Sequence, residues 1–233
     1  MTMDSPGQTI VARFDKVRLQ SADRWTDPVD LELRSGEFYV LVGDDELAKR
    51  SLVDMLTLRD RPSSGSLQVF GQKVSRPRPK MVAALRRRMG IVQDSLPLLG
   101  HLNVFDNVAL PLRLAGIDER NLGGLVDEML GLAALRACTE LRLGELSLQE
   151  TCGVAMARAM ITRPEILLIE GIFERLSPDW AWRLLQLAEG LRRQGAAVIA
   201  GTSDERLMTS VPGARAIRVN RPAEKIPFYR SIW

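Results

Sequence analysis

Two residues that could bind a phosphate group, Gly43 and Lys49, lie six positions apart between an apolar run and a helix-like segment. A loop that binds nucleotide phosphates has the pattern G-x-x-x-x-G-K-[ST]. Its glycines expose backbone amides, its lysine neutralises charge, and its hydroxyl binds magnesium. In this chain Ala48 stands in place of the second glycine and Arg50 in place of the hydroxyl residue, followed by Ser51. The pattern alone is weak, because a glycine and a lysine at this spacing often arise by chance.

The same loop is strongly acidic. Asp44, Asp45 and Glu46 place up to three negative charges where a triphosphate would lie. Each unit charge at such short range costs about 1–4 kcal/mol near a protein surface, and Lys49 and Arg50 offset only part of this. The loop therefore predicts either no cofactor or weakly bound ATP.

Residues 144–178 carry a far more specific pattern, GELSLQETCGVAMARAMITRPEILLIEGIFERLSP. It resembles the ABC transporter signature, LSGGQ, followed by the A-x-A-R-A helix, the Walker B strand and the D-loop of that family. The residues in register are Leu146, Ser147, Ala155, Ala157, Arg158, Ala159, Arg163, Pro164, Leu167, Leu168 and Leu176. Residues 88–116 resemble the Q-loop and the helices after it, most closely in a bacterial subgroup of cell-division, lipoprotein-release and Mla-type phospholipid transport ATPases. The resemblance extends from Phe14 to about Val219.

This sequence departs from the family at the positions that carry out hydrolysis. The resemblance places Glu170 where the family has its magnesium-binding Asp, and Gly171 where it has its catalytic Glu. Ser203 stands in place of the switch His that contacts the γ-phosphate, and Ser177 in place of the D-loop Asp. Because glycine offers no general base, the resemblance implies an ABC-type fold without its catalytic residue.

The signature and the Q-loop are altered as well. The signature becomes Leu146-Ser147-Leu148-Gln149-Glu150. In the family its glycines let the helix N-terminus approach a γ-phosphate held by the opposite subunit. Leu148 and Gln149 would obstruct that approach, and Glu150 would add negative charge. At the Q-loop, Gln93 is displaced by one position, which puts Asp94 in register, and either residue fits if the loop shifts.

The elements that must position these residues alternate between strands and helices. Strands are predicted at 10–18, 29–33, 37–42, 66–70, 89–92, 165–169, 197–201 and 216–219, and helices at 47–57, 81–88, 148–161 and 180–193. This order predicts an α/β fold, a P-loop NTPase-like (ABC ATPase) core with a mainly parallel sheet and an inserted α-helical subdomain. We assign residues 1–92 and 142–219 to the core, 93–141 to the helical lobe and 220–233 to a tail.

Composition limits the remaining choices. The 233 residues are 45% apolar and 26% charged, with a net charge of +3, and we expect no membrane span, no signal peptide and a cytoplasmic location. The basic residues are spread along the chain, which argues against nucleic-acid binding. The dense cluster at 86–88 is best interpreted as a solvated helix end, with a surface for anionic lipid as the alternative. Cys138, Cys152 and His101 lack metal-ligand spacing, so no metal site is expected.

Together these observations predict a non-catalytic ABC-type subunit, peripheral on the cytoplasmic face of the inner membrane in a lipid or envelope transport complex. Its partners would be membrane permease subunits, with a second copy or a related ATPase completing a dimer. The alternatives are a soluble regulatory or scaffold protein and a slow but active ATPase. Docking is favoured by apolar residues where the family receives its permease: Leu96, Pro97, Leu98, Leu99, Leu102, Val104 and Phe105. Ser21 falls near the family's adenine-stacking aromatic, and Trp25 could replace it.

Overall fold

A computed structural model describes residues 8–21, 25–202 and 211–219 of the chain. Within these ranges it contains nine strands and six α-helices, with short 3-10 turns between some of them. In chain order they are β1 (Ile10–Val17), β2 (Val29–Arg34), β3 (Phe38–Val42), α1 (Glu46–Leu56), β4 (Ser66–Val69), β5 (Gln72–Lys73), α2 (Pro79–Arg86), β6 (Met89–Val92), α3 (Val104–Leu114), α4 (Glu119–Leu132), α5 (Leu148–Met160), β7 (Ile166–Glu170), α6 (Pro178–Arg193), β8 (Ala197–Gly201) and β9 (Arg215–Arg218).

The central sheet is parallel throughout, with the strand order β6-β7-β8-β3-β9. All five residues of β3 and all five of β8 are buried. Such continuous apolar runs are what a parallel sheet requires when helices cover both of its faces. One face packs on a cluster that includes Leu52 and Met55 of α1, and the other on a cluster that includes Met156 of α5 and Leu184 of α6. The predicted fold class is confirmed.

A second sheet, antiparallel and four-stranded, has the order β2-β1-β4-β5. Its β1 alternates buried and exposed residues over much of its length, so that Phe14, paired with Leu31 and Leu67, faces the first core cluster. The sequence predicts β1, β2 and β4 as strands. It does not predict that they form a separate sheet, because strand pairing depends on contacts between distant parts of the chain.

The helices between β6 and β7 form a third apolar cluster. Residues of α3 and α4, such as Val108 and Val126, pack there against Val154 and Ala157 of α5. Because α5 contributes to this cluster, the helical lobe is not packed separately from the core. The boundaries assigned to the lobe, at 93 and 141, remain a prediction.

The apolar surface predicted for permease docking is smaller than its sequence suggests. Val104 is fully buried, and Leu96, Leu98 and Phe105 pack partly against the second and third clusters. Only Pro97 and Leu99 of that set are exposed. The set therefore divides into core and surface residues, because an apolar run alone does not distinguish the two.

Two predictions fall outside the described residues, namely the role of Ser203 and the assignment of residues 220–233 to a tail. Elsewhere the predicted elements lie within about two residues of the observed ones, and β6 and β8 have the predicted bounds. No helix within the described ranges has both the length and the apolar character needed to cross a bilayer.

Candidate functional site

A cleft of about 430 Å³ lies where the carboxyl ends of four parallel strands, β3, β6, β7 and β8, approach α1. This edge is where open α/β sheets bind their ligands. The lining residues are Leu41, Glu46, Leu47, Lys49, Arg50, Arg59, Gln93, Asp94, Ser95, Glu170, Gly171, Glu174, Gly201 and Thr202. The cleft therefore brings together Lys49, Arg50, Gln93, Asp94, Glu170 and Gly171 from the sequence prediction.

The loop between β3 and α1 ends in an aspartate cap. Gly43 adopts a left-handed φ of 135°, and Asp45 then caps α1 by accepting a hydrogen bond from the Ala48 backbone N–H at 3.0 Å. The other carboxylate oxygen accepts a hydrogen bond from the Ser21 hydroxyl at 2.5 Å, and Asp45 is only 3% exposed. A helix N-terminus is the usual site for a phosphate. Here a carboxylate of the chain itself satisfies part of it.

The lysine of the loop is also paired within the chain. Its ammonium Nζ lies 2.6 Å from Glu46 Oε1, and the Lys49 side chain is 7% exposed. Arg50 is exposed and lines the cleft without an ion pair in the described part of the chain. Ser51 does not line the cleft, because its hydroxyl accepts a hydrogen bond from the Gln20 backbone N–H at 3.0 Å.

A polar chain of side chains crosses the floor of the cleft. Arg59 donates to Gln93 Oε1, and Gln93 Nε2 donates to Glu170 Oε2 at 3.2 Å. Arg59 also lies 3.6 Å from the carboxylate of Asp54. Burial raises the pKa of Glu170, and the hydrogen bond from Gln93 opposes that rise only in part. Gln93 thus contacts Glu170 directly, with the guanidinium of Arg59 behind it.

The position after Glu170 is shaped for glycine. Gly171 has a left-handed φ of 69°, and a Cβ added there would lie 3.0 Å from Asp94 Cβ. The backbone of Asp94 is itself held, since Arg175 Nη1 donates to the Asp94 carbonyl oxygen at 2.8 Å. A glutamate at position 171 would therefore face both backbone strain and crowding. The part of the site that corresponds to a general base contains no side chain.

Two charged residues of the cleft were not identified from the sequence. Glu174 accepts a hydrogen bond from the Thr202 hydroxyl at 2.8 Å, and Arg59 joins the polar chain described above. Nothing in the local pattern around either residue indicates a site, because each reaches the cleft through folding that places it beside β6, β7 or β8. Thr202 is the last described residue before position 203.

The altered signature begins α5 and does not line the cleft of this chain. Ser147 caps the helix, and Glu150 accepts hydrogen bonds from the Ser147 backbone N–H at 2.8 Å and from its hydroxyl at 2.7 Å. These bonds lower the pKa of Glu150. The Glu150 carboxylate therefore completes a capping box at the start of α5 and stays ionised there. Gln149 accepts a hydrogen bond from Ser177 at 2.9 Å, and Leu148 is 41% exposed.

The aromatic side chain proposed for adenine stacking lies close to the loop. Gln20 and Trp25 form an antiparallel bridge, and Trp25 is 44% exposed. Ser21 is buried and contacts Asp45 instead. Trp25 is therefore available to a flat ring, whereas Ser21 has a structural hydrogen bond.

The charges around the cleft are nearly balanced. Three basic side chains, Lys49, Arg50 and Arg59, face four acidic ones, Glu46, Asp94, Glu170 and Glu174. The described residues contain no group of His, Cys, Asp and Glu arranged to hold a metal ion. The arrangement can hold a network of internal ion pairs, but it offers a phosphate no excess of positive charge.

Comparison with known proteins gives a consistent result. The ABC transporter family model matches residues 26–170. The chain is 32% identical over 167 residues to the methionine import ATP-binding protein MetN of Xylella fastidiosa, covering 72% of this chain and 50% of that protein. It is 28% identical over 183 residues to the cell division ATP-binding protein FtsE of Streptococcus pneumoniae, covering 78% and 80% respectively.

Among solved structures, the fold matches the dimeric structure of MJ0796, a bacterial ABC transporter cassette. The TM-score is 0.80 at 21% identity, covering 90% of this chain and 94% of that one. At this identity the match concerns the fold alone. The chain spans about half the length of the methionine import relatives that it matches.

Proposed function

The chain belongs to the ABC transporter family, and from this premise we propose that it is a subunit that docks on a membrane permease without hydrolysing ATP. Its role would be structural. It would hold the cytoplasmic face of a transport complex together, as a peripheral protein, through contacts that do not depend on nucleotide.

One observation carries the proposal: the groups that would hold phosphates already bind carboxylates of the same chain. Lys49 is paired with Glu46 at 2.6 Å, and the N-terminus of α1 donates to Asp45. A triphosphate would have to displace these carboxylates or lie beside them, and close like charges repel strongly where water is partly excluded. In addition, Gly171 has no side chain, so bound ATP would find no general base at that position.

A docking role explains why the fold is kept when these residues are replaced. The cassette fold presents a surface to a permease independently of the cleft, and two exposed apolar residues, Pro97 and Leu99, lie in the segment after Gln93. A free scaffold protein would have no need for that surface. The relatives are named for methionine import and cell division, so a lipid or cell-envelope cargo remains a prediction.

The first experiment measures hydrolysis and binding on the purified chain. We expect that any ATPase activity in the preparation is unaffected by Lys49→Ala. We also expect calorimetry to detect no micromolar binding of magnesium ATP. Glu46→Gln should release Lys49 and tighten ATP binding by about fivefold, because a half-exposed ion pair contributes about 1 kcal/mol.

Glu128→Gln is the matched control, since it removes one negative charge from the exposed surface of α4. It should leave ATP binding unchanged. Magnesium-dependent turnover that disappears in Lys49→Ala would contradict the proposal and favour the slow ATPase. Recovery of the chain in the soluble fraction of cells, without any permease chain, would favour the soluble scaffold.

A further inference from the structure

Charge is distributed unevenly along this chain. Residues 61–93 contain eight basic residues and no acidic one, so the other 200 residues carry a net charge of −5 although the whole chain carries +3. The basic residues are thus concentrated rather than spread, which corrects the sequence interpretation above. Most of them lie on one surface segment, residues 73–88, which spans β5 and α2 and is here named the basic segment.

Two of its arginines have structural roles. Arg86 donates to the carbonyl oxygens of Thr57 and Leu58, both at 2.9 Å, at the end of α1. Arg88 pairs with Glu165 at 2.5 Å and lies over the ring of Phe70. The remaining five are exposed and contact no carboxylate among the described residues: Lys73, Arg76, Arg78, Lys80 and Arg87. Within residues 8–21, 25–202 and 211–219, these five positive charges have no acidic partner.

Local stability does not account for their placement. Arg78 is the N-cap of α2 and makes no side-chain capping bond, and the first turn of the helix contains no acidic residue. Lys80 lies in that first turn. Positive charge at a helix N-terminus opposes the helix dipole, so the fold alone would favour Asp, Ser or Thr here. A solvated helix end explains Arg87, but it does not explain Arg78 and Lys80.

The backbone around these cations is stiff. Pro77 and Pro79 alternate with them in the sequence Arg76-Pro77-Arg78-Pro79-Lys80. A residue before proline is restricted to extended conformations, and Arg78 has φ −69° and ψ 149°. Arg76 and Arg78 are therefore held along a stiff stretch that leads into the first turn of α2, where Lys80 lies, so that less backbone entropy is lost when the three cations meet an anionic surface.

We propose that the basic segment binds the anionic headgroups of a phospholipid bilayer through Arg76, Arg78 and Lys80. The choice of a lipid surface rests in part on the function proposed above, which places the chain beside a membrane. It is supported by composition, since residues 71–93 contain no aromatic side chain on which nucleic-acid bases could stack. The binding is electrostatic, because the exposed face of α2 offers only small apolar residues, Ala83 and Ala84.

The test is vesicle sedimentation with the full chain and no permease. We expect binding to vesicles that contain phosphatidylglycerol, no binding to vesicles of phosphatidylcholine alone, and loss of binding as salt is raised. Each cation near an anionic surface contributes about fivefold to the partition constant. The triple variant R76Q/R78Q/K80Q should therefore bind about a hundredfold more weakly.

The matched control, K16Q/R18Q/R163Q, removes three exposed cations that lie outside residues 61–93 and form no ion pair with any residue that the structure describes. It should retain the greater part of the vesicle binding, and both variants should unfold at the wild-type temperature. Equal loss in the two triple variants, or equal binding to both kinds of vesicle, would overturn the proposal. So would tighter binding to duplex DNA than to anionic vesicles. None of these outcomes depends on ATP, so failure here is distinct from failure of the proposed function.

Discussion

At the residue scale, the cleft is defined by how its carboxylates are used. Glu46 pairs with Lys49, and Asp45 caps the N-terminus of α1. Among the residues that the structure describes, Glu170 has the amide of Gln93 as its one hydrogen-bond donor. The first two carboxylates are neutralised by groups that a nucleotide would otherwise use. Glu170 is instead a partly buried charge for which the chain provides little compensation.

Glu170 should therefore destabilise the folded chain at neutral pH. Its pKa is raised by burial, so below its ordinary value the group is protonated in both folded and unfolded states. As pH rises, the unfolded state ionises first, and stability falls until pH exceeds the raised pKa. We expect Glu170→Gln to be more stable than the wild type at neutral pH and equal to it below about pH 4. Urea unfolding across this pH range measures the difference.

Glu128→Gln, on the exposed surface of α4, provides the comparison and should show a smaller change with pH. A Glu170→Gln variant that is less stable than the wild type at neutral pH would mean that the carboxylate has a compensating partner. In that case the interpretation of Glu170 as an uncompensated charge would be wrong.

The residue types at this site could be predicted from the sequence, but their contacts could not. The pattern at 43–51 and the stretch at 144–178 identify which residues matter, because spacing along the chain is local information. The pairing of Glu46 with Lys49 and the bond from Gln93 to Glu170 depend on side-chain rotamers and on strands that are distant in sequence. For the same reason the sequence did not show that Glu150 also caps α5.

At the element scale, the contact between β6 and α5 limits what the sheet can accept. A Cβ added to Gly90 would lie 2.4 Å from the carbonyl oxygen of Ala159. The backbone of α5 cannot move away without disturbing the cluster around Met156. The bounds of β6 were predicted correctly, but the close approach was not, because it joins segments about seventy residues apart.

We expect Gly90→Ala to lower the free energy of unfolding by about 1–3 kcal/mol, as overpacking in a tight interior usually does. Gly190→Ala is the matched control. Its Cβ would meet no atom within 4 Å in α6, and alanine should stabilise that helix by about 1 kcal/mol. Chemical denaturation gives the free energy of unfolding of both variants. If that of Gly90→Ala equals the wild-type value, then β6 and α5 are less closely packed than the distance indicates.

At the scale of the whole molecule, the two proposals describe one arrangement. The cleft lies at the carboxyl edge of the parallel sheet, and the basic segment lies on β5 and α2, outside the lining of that cleft. Docking and lipid contact would therefore use surfaces that remain free whether or not a ligand enters the cleft. Association with the membrane would then be constant rather than driven by nucleotide.

This arrangement predicts that ATP does not alter the oligomeric state. The resemblance to ABC cassettes implies a dimer in which each nucleotide lies between the phosphate loop of one copy and the signature of the other. In a dimer of this chain both sites would join the Asp45 and Glu46 loop to the Leu148 and Gln149 signature. The phosphate loop already pairs Lys49 with Glu46 and caps α1 with Asp45, so we expect protein contacts rather than nucleotide to hold any dimer. Sedimentation velocity should give the same mass distribution with and without magnesium ATP. Lys49→Ala should be indistinguishable from the wild type in both conditions. A dimer that appears only with ATP, and is lost in Lys49→Ala, would contradict the prediction and show that nucleotide drives dimerisation of this chain.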